Sequence, residues 1–233
     1  LHRAHPGRVF VAVAESPRDA ISVENDLEAL LGDEHGSFHY PQKEALPYEE
    51  AEPHFAIGGQ RVEAVEALFS GRARILVTTP RALQERVPIP SHLAELRATY
   101  RVGDELPFTD LPHALEERGF ERVPLVEEVG HFAVRGGILD VFSVSAGDPV
   151  RIEFWGDEIV SIRSFDVTDQ RSTGELQETH VLPVDFRRTD AQEGQNGEVS
   201  RSLLELLPSD AVLVRIRSEE HTSELQSPDH LVC

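Results

Sequence analysis

The chain has 233 residues and a formal charge of −20, with 39% hydrophobic and 27% charged residues. That composition is globular, and no apolar run reaches the roughly eighteen residues of a membrane span, nor does a signal-peptide pattern open the chain. So large an acidic excess repels phosphate backbones and argues against autonomous nucleic-acid binding. The single cysteine, Cys233, excludes an internal disulfide framework, and a reducing, cytoplasmic setting is expected.

Leu1 stands where an initiator Met is expected, which reads as an N-terminal truncation. Residues 217–233, beginning "RSEEHTSELQS", resemble a translated sequencing-library adapter and are set aside as non-native. They hold Arg217 against Glu219, Glu220, Glu224 and Asp229, so the remainder stays strongly acidic.

In chain order, "RVFVAVA" (8–14) is a short, nearly continuous apolar run, the pattern of a strand buried on both faces. A helix follows, with Ser16 as N-cap, Pro17 at the first helical position, Asp19 completing a capping-box-like pair and Gly32 closing it. A second helix is predicted over about 60–70, ending at Gly71. "RILVTT" (74–79) is another buried strand, and 80–86 a short helix. Strand, helix, helix, strand at this spacing predicts an α/β unit with a parallel sheet.

The style changes near residue 97. One helix, capped by Thr109 or Asp110 and closed by Gly119, leads into residues 122–166, where apolar positions alternate with period two. That pattern predicts antiparallel, half-exposed β structure. A polar stretch after Pro183 precedes "RSLLELLP" and "AVLV", which resume the helix-then-buried-strand style. The expected architecture is therefore an α/β unit into which an α+β, mainly antiparallel unit is inserted.

Two segments carry the chemistry. In "FAVRGGILDVF" (132–142), Phe132, Val134, Ile138, Leu139 and Val141 supply strand-like apolar content, and Arg135, Gly136 and Gly137 interrupt it. The glycines let the strand bend or bulge around an exposed arginine. In "PVRIEFWGDEIVSIRSF" (149–165), Val150, Ile152 and Phe154 face one side and Arg151, Glu153 and Trp155 the other. A three-residue turn, Gly156-Asp157-Glu158, sets Phe154 opposite Val160 and Ile152 opposite Ile162, leaving Arg151, Trp155 and Arg163 on the open face. Arginine with tryptophan fits a protein–protein hot spot, but on this strand alone the pattern favours a cation–π pair covering a sheet.

Nothing assembles into a catalytic or metal site. His2 and His5 lack carboxylate support, Glu49-Glu50 and Glu127-Glu128 read as solvated charge, and the only lysine, Lys43, sits in no phosphate loop.

"GHFAVRGGILDVF", "VRIEFWGDEIVSIRSFD" and "QRS" resemble the sequence shared by UvrB, the damage-verifying subunit of bacterial nucleotide excision repair, and the transcription-repair coupling factors. The resemblance is dense over 119–172 and continues over 10–90 through "EALPYE" and "ILVTTPRALQERVP". UvrB carries a long tyrosine-rich hairpin after its first helix. Here that region offers only Tyr40 and Tyr48, too few aromatics for base stacking, so the chain is identified with the coupling factors rather than with UvrB.

The resemblance implies a degenerate, P-loop-NTPase-like domain 1a (1–96), a UvrB-like domain 2 (97–183) and the start of domain 1b (184–216). It further implies that domain 2 docks the damage-recognition subunit UvrA, and that the docking residues are Arg135, Arg151 and Trp155, the last an aromatic position where relatives more often have Phe. The longer relatives are ATP-dependent double-strand DNA translocases. ATP with Mg, RNA polymerase, double-stranded DNA and a masking C-terminal domain are implied for the whole protein, and no cofactor for this piece.

Overall fold

The computed structural model describes residues 5, 7–32, 36–43, 55–144, 146–186 and 199–217. His2, Tyr48, Glu49-Glu50, the polar stretch 187–198 and the tail from 218 onward lie outside them. The apolar runs of the first ninety residues form β1 (Phe10–Ala14) and β3 (Ile75–Thr78), parallel neighbours in register Phe10 to Ile75. Between them the chain makes helix α1 (Pro17–Leu31), a short strand β2 (Ser37–His39) and helix α2 (Phe55–Phe69). The strand–helix–helix–strand expectation therefore missed β2. Its three residues are too few and too polar to show a period; pairing with β3 and the approach of His39 Nδ1 to the Glu24 carboxylate on α1 (2.9 Å) hold it.

Alternation in β1 and β3 puts one helix on each face of the sheet. Ala12, Ala14, Ile75 and Val77 pack with Ala20, Val23 and Leu27 of α1, whereas Val11 and Leu76 pack with Val62, Val65 and Leu68 of α2. The start of α1 follows its sequence: Ser16 Oγ accepts from the Asp19 N–H (3.2 Å) and donates to the Asp19 carboxylate (2.7 Å). The Gly32 N–H closes the helix on Glu28 O (2.9 Å). Helix α2 begins earlier than the expected residue 60, through Gly58 and Gly59. A methyl group on Gly58 would lie 2.9 Å from Asp185 Cβ and Val184 O, and one on Gly59 2.7 Å from Val144 Cγ1. The two glycines admit the segments around 144 and 184 against the helix.

Short elements follow: α3 (Pro80–Leu83), β4 (Arg86–Pro88), α4 (Pro90–Leu96) and β5 (Ala98–Arg101). Thr79 caps α3, its hydroxyl accepting from the Ala82 N–H. A buried polar knot ties this region together. Arg61 of α2 donates to Tyr40 Oη (2.5 Å) and Pro41 O (2.6 Å) and pairs with Glu85 (2.6 Å), whose other carboxylate oxygen accepts from the Lys43 N–H (3.0 Å). Tyr40 is fully buried, as a structural ring beneath the Arg61 guanidinium (4.4 Å).

Helix α5 (Leu111–Glu117) enters from a 3-10 turn, Phe108–Asp110, without a side-chain cap. Asp110, one of the two residues expected there, holds the N-cap position without a side-chain capping bond; Gly119, in the left-handed region at φ 89°, follows the helix as expected. Then comes a six-stranded sheet: β6 (Glu121–Arg122), β7 (His131–Arg135), β8 (Ile138–Val141), β9 (Val150–Trp155), β10 (Glu158–Phe165) and β11 (Ser172–Leu176), neighbours in that order. All its pairings are antiparallel except β6 with β7. Its apolar face, with Phe132, Leu139, Val141, Val150, Ile152, Phe154, Ile159 and Ile162, packs against Leu111 and Leu115 of α5 and against Tyr100 and Phe120.

Strand β12 (Glu178–Val181) pairs with β5, and β13 (Ser200–Ser202) with β4. After α6 (Leu203–Leu206), strand β14 (Val212–Ile216) pairs parallel with β1. The chain thus returns to the first sheet, whose strand order is β14-β1-β3-β2, and the fold is mixed α/β with a four-stranded parallel sheet, a six-stranded mainly antiparallel sheet and two two-stranded antiparallel sheets.

Candidate functional site

The face of the six-stranded sheet opposite its main core, covered in part by a smaller buried cluster of Val126, Ala133 and Phe165, carries the residues singled out from sequence. Two tight hairpins position them. Gly136-Gly137 is the two-residue turn of the β7–β8 hairpin, with Arg135 paired to Ile138 and Gly136 at φ 61°. The glycines therefore reverse the chain; they are not a bulge inside one strand, as the sequence pattern suggested. Gly137 is also pressed against β9, its carbonyl accepting from the Phe154 N–H (2.8 Å).

The β9–β10 hairpin turns on two residues, Gly156-Asp157, with Glu158 opposite Trp155. Phe154 lies opposite Ile159, not Val160 as expected. A bulge at Val160 then shifts the register, so that Ile162 faces Ile152 as the alternation requires. With alternation alone, a two-residue turn would break the apolar face. The bulge restores it one residue later and leaves Val160 exposed.

The organising group on the open face is one that the sequence reading passed over. Asp140, in the middle of β8, is only 1% exposed. It lies directly opposite Arg151 on β9 and diagonally from Arg135 across the β7–β8 turn. Arg151 donates from Nε to Asp140 Oδ1 (2.7 Å) and from Nη2 to Oδ2 (2.9 Å), a bidentate pair. Arg135 Nη2 reaches the same Oδ2 at 2.5 Å. Arg151 Nη1 further contacts Gln170 O (3.3 Å), and its guanidinium stacks 4.6 Å from the Phe165 ring. The hydrogen bonds to Asp140 raise the Arg151 pKa above its ordinary value against the opposing effect of burial, so the residue is firmly cationic.

A signal for Asp140 was present in the sequence. A carboxylate flanked by Leu139 and Val141 in an apolar strand has to find a counter-charge.

The structure therefore brings Arg135 and Arg151 together and keeps Trp155 apart from them. Trp155 stands at the hairpin tip, four residues beyond Arg151 on the same face, with 81% of its surface exposed. The aromatic partner of Arg151 is Phe165, so the cation–π alternative is met at this arginine by a ring other than Trp155. Arg163, directly opposite Arg151, is drawn off by Glu153 (2.8 Å), which separates two like charges. Among the described residues no group of three His, Cys, Asp or Glu side chains is arranged to hold a metal, and no helix is long and apolar enough to cross a membrane.

Residues 99–186 match the family described as the UvrB interaction domain, the stretch that includes this whole sheet. Over 183 residues, 76% of the chain, the sequence is 40% identical to the transcription-repair-coupling factor of Myxococcus xanthus. It is 37% identical over 187 residues (77% of the chain) to that of Mycobacterium tuberculosis, and 33% over 180 residues (77%) to that of Haemophilus influenzae. The chain spans only 15%, 15% and 16% of the length of these three relatives.

Proposed function

The chain belongs to the transcription-repair-coupling factor family and carries a UvrB interaction domain in residues 99–186, and from that premise we propose that it is a non-catalytic recruitment module that docks UvrA in transcription-coupled nucleotide excision repair. The observation that carries this reading is the open sheet face inside the matched segment, where two arginines gather on Asp140 and a lone Trp155 stands in solvent. A large exposed aromatic on the same sheet face as arginines has the composition of an interface hot spot. A cationic cluster on a chain of charge −20 selects an acidic partner surface.

Within this reading, 1–96 is domain 1a, 97–183 domain 2 and 184–216 the beginning of domain 1b. The parallel sheet with a helix on each face supports a degenerate P-loop-NTPase-like origin for the first unit, which uses no cofactor of its own. ATP with Mg, RNA polymerase, double-stranded DNA and the masking C-terminal domain belong to the longer protein, which works in the cytoplasm.

The test is binding of the chain to purified UvrA, native against Trp155→Ala and Arg135→Glu. Arg151 is a poor choice for charge reversal, because a glutamate there would face the buried Asp140. Removing a central aromatic anchor costs about 2 kcal/mol, a weakening of roughly thirtyfold. Folded native chain that fails to bind UvrA at micromolar concentration would refute the docking reading.

A further inference from the structure

We propose that the two arginines of the docking face have different jobs, set by Asp140: Arg135 is the cation that meets a partner carboxylate, and Asp140 with Arg151 is the positioning pair that holds it in place. The proposal rests on the docking reading above and adds to it which groups touch the partner and which act through others.

Donor counting separates the roles. A guanidinium has five N–H donors in a rigid fork. Arg151 engages all three of its nitrogens, with two bonds to Asp140 and one to Gln170 O, and one face of its plane lies on Phe165. Its side chain is 16% exposed. Arg135 engages Asp140 through Nη2 alone and keeps 47% of its side chain in solvent. The donors of Arg135 outside that bond suit a second, incoming carboxylate.

Charge points the same way. Asp140 with two arginines carries a net single positive charge, and the neighbouring Arg163–Glu153 pair is neutral. The cluster is thus a local cation in an acidic chain, fixed to the sheet by a buried anchor. A flexible arginine would lose side-chain entropy when it met a partner. Arg135 is already held at one end by Asp140, so less is lost.

The experiment is a double-mutant cycle on binding of the 233-residue chain to UvrA, with far-UV circular dichroism and thermal unfolding recorded for each variant. Arg135→Gln is expected to weaken binding about tenfold or more and to leave unfolding nearly unchanged, since its side chain is half exposed. Asp140→Asn is expected to weaken binding comparably in the native background and hardly at all once Arg135 is Gln, because it acts through Arg135. A merely structural Asp140 would cost the same factor in both backgrounds, and that result overturns the proposal.

Where Asp140→Asn does not fold, Asp140→Leu combined with Arg151→Met replaces the buried pair by apolar side chains, a change that such sites tolerate. That chain still carries Arg135, now without its anchor, and is expected to bind about tenfold more weakly. Native affinity in this variant likewise overturns the assignment. Absence of binding by the native chain refutes the docking reading itself, an outcome distinct from native binding that ignores Asp140.

Discussion

Gly137→Ala is expected to damage this domain more than Gly136→Ala, although Gly136 is the glycine with the left-handed backbone. At Gly136 (φ 61°) an added methyl group meets nothing within 4 Å, so its cost is the left-handed conformation alone, about 1–2 kcal/mol. At Gly137 the methyl carbon would lie 2.8 Å from the Phe154 carbonyl oxygen, a backbone atom that cannot swing aside. The same residue accepts the Phe154 N–H at 2.8 Å, so relieving the clash pulls that bond apart. A lost backbone hydrogen bond costs about 1 kcal/mol and overpacking roughly 1–3.

The sum, about 2–4 kcal/mol, lowers the melting temperature by roughly 5–10 °C for a chain of this size. Phe154 is a core residue whose ring lies tilted against that of Phe108 (4.9 Å between centroids), so the displacement reaches the α5 side of the sheet as well as the β7–β8 turn. Calorimetry of the two alanine variants beside the native chain measures both effects. Gly137→Ala melting within 2 °C of the native chain, or above Gly136→Ala, would show that the hairpin does not press on β9 as described.

Two other perturbations follow from buried charge. Glu85→Ala strands Arg61 without its counter-ion and should cost about 3–5 kcal/mol, whereas Arg61→Met with Glu85→Leu should cost far less; urea midpoints separate the two, and equal losses would contradict the ion-pair account. Glu63 has its pKa raised above 4.5 chiefly by burial, with Arg72 opposing and Glu66 adding. Its folded form therefore binds a proton more readily than its unfolded form, and the ionised side chain costs stability above the folded pKa. Glu63→Gln should stabilise the chain at neutral pH, with the gain fading as the pH falls through the raised folded pKa toward 4.5; a gain that persists at pH 3 would mean that the benefit is not electrostatic.

What the sequence disclosed depended on how local the cause was. The caps of α1 rest on Ser16, Asp19 and Gly32, all within one helix, and they read directly. The period-two alternation of β7 to β10 read for the same reason, since each strand displays its own faces. Strand β2 did not, because three residues are a strand only by virtue of their pairing with β3. Gly58 and Gly59 look like helix breakers until Val144 and the Val184 carbonyl, about 85 and 126 residues away, are seen to lie on them. The β9–β10 turn was misread by one residue, for a bulge conserves the apolar face under either register and alternation alone cannot choose.

Asp140 is the instructive case. Arg135, Arg151 and Trp155 stand out in the sequence and are singled out as docking residues by the family resemblance, whereas an aspartate between Leu139 and Val141 reads as one polar letter in a strand. Yet the two-residue turn at Gly136-Gly137 is itself a local signal, and it fixes Arg135 opposite Ile138. Two residues further along β8, Asp140 must then lie on the same face as Arg135. Once β9 joins with its own alternation, Arg151 can only fall on that face too, and the pairing sets it directly opposite Asp140. The carboxylate could not have been buried without Arg151, and Arg135 could not have been held still without the carboxylate. The residue that makes the face a site is the one the face conceals.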